Sequence, residues 1–136
     1  NRVDAHVNLG NALYDKGDLD GAIIEYRVAI QLNPKDPKAS YDLGNALSRQ
    51  GKFDQAIAAY QVAIGIDPKF SSAHRNLGML LHKIALSAPV TVERTLLLID
   101  ACAALKQAAA LSPSGQDNAE SLHELDALLH GHCLQE

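Results

Sequence analysis

A block of sequence recurs at a fixed spacing of 34 residues. Asn8-Leu9-Gly10-Asn11-Ala12-Leu13 returns as Asp42-Leu43-Gly44-Asn45-Ala46-Leu47, and Asp18-Leu19-Asp20-Gly21-Ala22-Ile23 returns as Lys52-Phe53-Asp54-Gln55-Ala56-Ile57. The tract ending Asn33-Pro34 returns ending Asp67-Pro68. A period in this range marks a stack of small units, none of which can bury its apolar face alone. Such an array presents a continuous surface, so the chain is built to hold something rather than to transform it.

Each unit reads as two helices. In the first, Leu9, Ala12 and Leu13 recur at helical spacing from about Val3, and Gly17 stops the helix. The second helix carries Ala22, Ile23, Tyr26, Ala29 and Ile30 on one stripe and ends before Pro34, because a residue preceding proline is pushed out of the α region. The next unit repeats the plan: Asp36 caps with Pro37 at the first helical position, Leu43, Ala46 and Leu47 face inward, and Gly51 stops the helix. Ala56, Ile57, Tyr60, Ala63 and Ile64 then form a stripe up to Pro68. Gly10 and Gly44 fall where paired helices cross closely, and Tyr26 and Tyr60 are expected to fill the larger gap between units.

A third unit starts with Leu77, Gly78 and Leu81, but its partner stripe (Ala101, Leu105, Ala108, Pro113) arrives 11 residues late, an excess of about three helical turns. The spacing predicts a lengthened hairpin: a first helix to about Leu86, a turn at Pro89, a Thr91 cap and a second helix from about Val92 to Leu111. Its tip carries Val90, Val92, Leu96 and Leu97, to be covered by the last helix or to act as a second interface. Asp117 and Glu120 form a capping box for a final helix over 117–131, with Ala119, Leu122, Leu125 and Leu129 on one face, a lid over the end of the stack. No comparable lid precedes Val3, so the array reads as truncated there, or as covered by another chain.

Leu9, Gly10, Leu13, Ala22, Tyr26, Ala29 and Pro34, and again Leu43, Gly44, Leu47, Ala56, Tyr60, Ala63 and Pro68, resemble the tetratricopeptide repeat. The resemblance implies an all-α solenoid of three helix-turn-helix hairpins with a C-terminal capping helix. It forms one domain over 1–136, divided into repeats at 3–36, 37–70 and an atypical 71–115. In that family the first helix of each hairpin lines the concave face. Counting along those helices brings Asp4, Val7, Asn8, Asn11, Tyr14 and Asp15 to the groove. Lys38, Tyr41, Asp42, Asn45, Ser48 and Arg49 follow, and then Ser72, Arg75, Asn76, Met79, His82 and Lys83.

Asparagine amides carry a donor and an acceptor and can bond both groups of a peptide unit. Asn8 and Asn76, with Asp42 between them, resemble the asparagine ladder in the repeats of O-linked N-acetylglucosamine transferases. The clamp by which co-chaperone repeats grip a chaperone's C-terminal carboxylate is matched only at Asn11. Val7, Asp42, Ser72 and Asn76 stand at its other positions, and a carboxylate at Asp42 would repel such a ligand. Charge along the groove grades from acidic at Asp4 and Asp15 to basic at Arg49, Arg75 and Lys83, which would orient a peptide of mixed charge and favour acidic side chains.

No phosphate-binding glycine loop, nucleophile elbow or zinc-protease helix is visible, so no enzyme and no cofactor is expected. His130, His132 and Cys133 cluster near the end, with His123 upstream, but match no structural zinc spacing and read as a solvated tail without metal. Two cysteines make no disulfide framework, and Cys102 reads as a small buried hydrophobe. The net charge of −4, with scattered Lys and Arg, points away from nucleic acid. The longest apolar tract, Thr95–Leu105, is too short to enter a membrane as a span. With no secretory signal at the start, the expected protein is soluble, and intracellular or organellar rather than secreted. The expected function is a non-catalytic interaction module that binds an extended peptide or partner protein in its groove and helps assemble a complex. Two alternatives remain open. One is self-assembly into a homo-oligomer through the uncapped N-terminal hairpin; the other is a substrate-recruiting arm of a larger enzyme.

Overall fold

The helix boundaries follow from their capping residues. In the computed structural model, residues 1–89, 91–111, 122–124, 126–127, 129 and 133 are described. Helix α1 spans Arg2–Asp15 and α2 spans Leu19–Leu32. Between them Gly17 has φ +82°, and the amides of Gly17 and Asp18 reach back to the carbonyls of Tyr14 and Leu13 at 3.0 and 2.9 Å. That pair of bonds closes the last turn in the left-handed Schellman arrangement, which a residue with a Cβ adopts only under strain. The same closure recurs 34 residues later, where Gly51 has φ +78° and Lys52 bonds back to Leu47. It joins α3 (Pro37–Arg49) to α4 (Phe53–Ile66). Asp36 caps α3 by accepting from the Lys38 amide, with Pro37 in the first turn. Helices α5 (Ser71–Ser87) and α6 (Val92–Leu111) form the third hairpin, lengthened as the spacing predicts. Thr91 Oγ1 accepts from the Arg94 amide at the start of α6.

The described residues fall into two compact units, Asn1–Pro68 and Lys69–Glu136. In the first, α1 packs on α2, α3 on α4, and α2 on α3; in the second, α5 packs on α6. The chain is all-α, three helical hairpins with further helix at Leu122–Glu124 and Asp126–Ala127. Alanines let the helices approach: Ala22, Ala29, Ala39, Ala46, Ala56 and Ala63 are wholly buried, as are Ala73, Ala85, Ala101 and Ala108 in the second unit.

The glycines show why each hairpin closes. A Cβ on Gly10 would lie 2.6 Å from the Tyr26 ring, and one on Gly44 equally close to the Tyr60 ring. Tyr26 and Tyr60 therefore fill space inside their own hairpins, over the helix-crossing glycine, and Tyr26 also borders Asp42 and Asn45 of the next repeat. In the third hairpin Gly78 meets Leu105 at 2.6 Å. Tyr26 and Tyr60 follow their glycines by 16 residues and Leu105 follows Gly78 by 27, so the 11 extra residues lie wholly between the two partners of the crossing.

Three further expectations change. Val7, placed in the groove by counting, is 4% exposed and packs with Ala29 and Ala39 between repeats, while Leu9, expected inside, is 48% exposed. Cys102 is buried but not free: it forms a disulfide with Cys133, Cα to Cα 6.1 Å. Cys133 is consequently buried rather than part of a solvated tail, and its amide donates to Asp126 Oδ1 at 2.9 Å. The correction has a simple cause: Cys133 lies against α6, a long-range contact that the spacing of two cysteines does not encode. Asp117, Ala119, Glu120, Leu125, His130 and His132 lie outside the described residues, as does Val90.

Candidate functional site

The first unit holds a cavity of about 310 Å³ lined by Asn11, Tyr14, Asp15, Tyr26, Asp42 and Asn45. Helix α1 supplies Asn11, Tyr14 and Asp15 from successive turns, and α3 supplies Asp42 and Asn45 from the equivalent face. Tyr26 reaches through from α2 over Gly10, the one place where α1 lacks a side chain to stop it.

The asparagines are not free in the way the sequence implied. Tyr26 donates its hydroxyl hydrogen to Asn11 Oδ1 at 2.7 Å, and Tyr60 donates to Asn45 Oδ1 at 2.8 Å. Each amide oxygen thus has an internal donor, which fixes the amide's orientation. Burial, followed by the charges of Asp42, Tyr14 and Asp15, raises the Tyr26 hydroxyl above its usual range, so Tyr26 stays a donor.

Asp42 is the electrostatic centre of the cavity. Burial pushes its carboxyl up to about 6 from 3.8; Lys38 pulls it down and Asp36 adds a smaller upward push. Its Oδ2 is buried and has no hydrogen-bond partner among the described residues. An orphaned acceptor of this kind is costly unless a ligand or water donates to it.

Arg49 does not reach into the cavity. Its Nη1 donates to the Tyr14 carbonyl at 3.0 Å and its guanidinium lies over the Tyr14 ring, 5.0 Å from the centroid. Its side chain instead clasps α1. Tyr41 packs against Tyr60 with ring centroids 6.0 Å apart. Asn8 is exposed on α1 outside the cavity lining. Gln50 Nε2 donates to Asp20 Oδ1 at 2.6 Å, and His6 Nδ1 meets Glu25 Oε2 at 2.6 Å, contacts that sequence reasoning did not single out.

In the second unit, Met79 and Lys83 line a cavity of about 470 Å³ with His82, Leu86, Ser87 and Glu124, while Arg75 and Asn76 are half-buried on α5 outside it. Glu124 was not anticipated; it comes from the segment that the disulfide holds back. On the long hairpin Val92 and Leu96 are exposed at 77% and 55%, and Leu97 is half-buried.

A family model described as TPR repeat matches residues 10–51 and 44–84, together more than half of the chain. The chain belongs to the tetratricopeptide repeat family. Comparison with curated proteins finds no match. Among solved structures it is similar to the first tetratricopeptide domain of Spaghetti (RPAP3), bound to the HSP90 peptide SRMEEVD. The TM-score is 0.82 at 18% identity, over 95% of this chain and 94% of that one. The Arabidopsis OM64 tetratricopeptide domain matches with TM-score 0.80 and 21% identity, over 93% and 96%. A thermophilic tetratricopeptide protein of Thermus thermophilus matches with TM-score 0.81 and 22% identity, over 95% of this chain and 66% of that one. At these identities the likeness is one of fold. Among the described residues no helix is long and apolar enough to cross a membrane.

Proposed function

We propose that this chain is a non-catalytic module that binds an extended segment of a partner protein and helps assemble a complex, with the Asn11–Asp42–Asn45 face of the first unit as its principal contact. The observation that carries this reading is the cavity itself. It is lined by the Asn11 amide, whose oxygen Tyr26 occupies and whose NH₂ is a donor, and by a buried, partnerless acceptor at Asp42, the complement of one peptide unit's C=O and N–H. The Spaghetti domain, of the same fold, is bound to a peptide, which supports the class of ligand. The acidic character of that peptide does not transfer, because Asp42 and Asp15 would repel a carboxylate and Arg49 is engaged with Tyr14. The ligand presents N–H groups or a basic side chain at this point, and Tyr14 and Tyr41 add apolar contact. Asn8 adds to this face, and Arg75, Asn76, Met79 and Lys83 form a separate candidate contact surface of the second unit.

The test is a random-peptide display selection on the wild type beside Asn11→Asp. Alanine at this position would strand the Tyr26 hydroxyl and confuse binding with stability, whereas aspartate keeps the acceptor for Tyr26 while it removes the NH₂ donor and adds a negative charge beside Asp15 and Asp42. Peptides enriched by the wild type and lost by a folded Asn11→Asp variant are expected. Enrichment that survives the substitution would refute the role of this face.

A further inference from the structure

The second unit contains a buried polar group that nothing yet described employs. His82 is 9% exposed, and its Nε2 is buried with no hydrogen-bond partner among the described residues. The ring borders both the cavity of about 470 Å³ and an adjoining one of about 340 Å³ lined by His82, Leu86, Glu124 and Ala127. Met79 and Leu86, about half exposed, supply the apolar wall. Among the described lining residues one lysine, Lys83, and one glutamate, Glu124, carry charges that offset one another.

We propose that this cavity is a side-chain pocket for a tyrosine or tryptophan presented by the partner, whose O–H or N–H donates to His82 Nε2. The argument is one of complementarity. The space is large enough for a ring, and its walls are mostly apolar. A thioether such as Met79 packs favourably against an aromatic edge. A purely aliphatic occupant would leave His82 unpaired in a dry site, which is the costly outcome. A ring with one polar handle satisfies both requirements at once. The chain has no Trp of its own, and its four tyrosines all lie in the first unit. Glu124 and Ala127 precede Cys133, which the disulfide ties to α6, so the probes are applied to the oxidised protein. The inference rests on the reading of the chain as a peptide-binding module and adds the side chain that the second unit prefers.

The experiment uses the full oxidised chain and three small probes: N-acetyltryptophanamide, N-acetylphenylalaninamide and N-acetylleucinamide. Because the protein lacks tryptophan, indole fluorescence reports the first probe alone, and amide chemical-shift changes locate all three. Shifts confined to Met79, His82, Leu86 and Ala127 are expected, with the tryptophan probe binding about fivefold more tightly than the phenylalanine probe, the size of one hydrogen bond. In His82→Leu that advantage should vanish while apolar binding persists. Equal binding of the tryptophan and phenylalanine probes to the wild type would overturn the proposal, as would shifts centred elsewhere or no binding at all. The wild-type comparison decides even if the variant does not fold. Since single amides do not depend on the Asn11 face, failure here is distinguishable from failure of the display selection.

Discussion

Gly44 and Gly65 are both helical glycines, yet a methyl group added to each meets opposite surroundings. At Gly44 it would lie 2.6 Å from the Tyr60 ring, which is itself held by Asn45 and packed against Tyr41. At Gly65 nothing lies within 4 Å. Gly44→Ala should therefore destabilise by about 1–3 kcal/mol through overpacking, whereas Gly65→Ala should stabilise by about 0.5–1 kcal/mol by removing unfolded-state freedom. Chemical denaturation of the two variants side by side checks both signs. Asp42 gives a prediction in pH. Its folded-state carboxyl titrates at about 6, above the 3.8 of the unfolded chain. Between those values the folded protein holds a proton that the unfolded chain has lost, so stability falls as pH rises across this window and stays reduced above it. Asp42→Asn should remove that slope and stabilise the protein at neutral pH by about 1 kcal/mol, the shift being discounted for the group's partial exposure. A stability profile from pH 4 to 7 that keeps its slope in the variant would refute the assignment.

At the scale of elements, the third hairpin shows what the sequence reveals and what it hides. The 34-residue period and the glycine-to-partner spacing make the extra turns of α5 and α6 legible, because helical rise is regular and the crossing glycine marks its phase. Helix faces were also legible, so Asn11, Tyr14, Asp42 and Asn45 could be brought to one side by counting. Side-chain direction was not: Arg49 folds onto Tyr14 and the asparagine oxygens bind tyrosines, outcomes that depend on rotamers and not on register. The Cys102–Cys133 bond was hidden for another reason, since it joins residues 31 apart and such a pairing leaves no periodic trace. It closes a loop of a length that contributes about 3–4 kcal/mol in the chain-entropy account. Replacing both cysteines with serine should lower the stability of the second unit by about that amount. It should also speed amide exchange at Leu122–Ala127 well before that of α5. Unchanged exchange there would show that Leu122 and its neighbours hold the segment without the bond.

For the whole molecule, the two units carry different spectroscopic labels, and this turns the disulfide's effect into a measurable separation. All four tyrosines (Tyr14, Tyr26, Tyr41 and Tyr60) belong to the first unit, so the near-ultraviolet tyrosine signal reports that unit alone, while the far-ultraviolet signal sums the helices of both. The first unit is held by four helix–helix packings and by the Tyr26 and Tyr60 hydroxyls, none of which involves a thiol. In the second, α5 packs on α6 and the covalent tie holds Cys133 to α6. Repeat arrays behave as chains of locally coupled units, so weakening one need not unfold its neighbour. In the presence of a dithiol reductant, the far-ultraviolet signal is therefore expected to start its loss at lower denaturant than the tyrosine signal, with the gap narrowing when the disulfide is intact. Coincident transitions in reductant would mean that the two units unfold as one cooperative body. The stability that the bond confers would then be shared along the whole array rather than confined to the end that carries it.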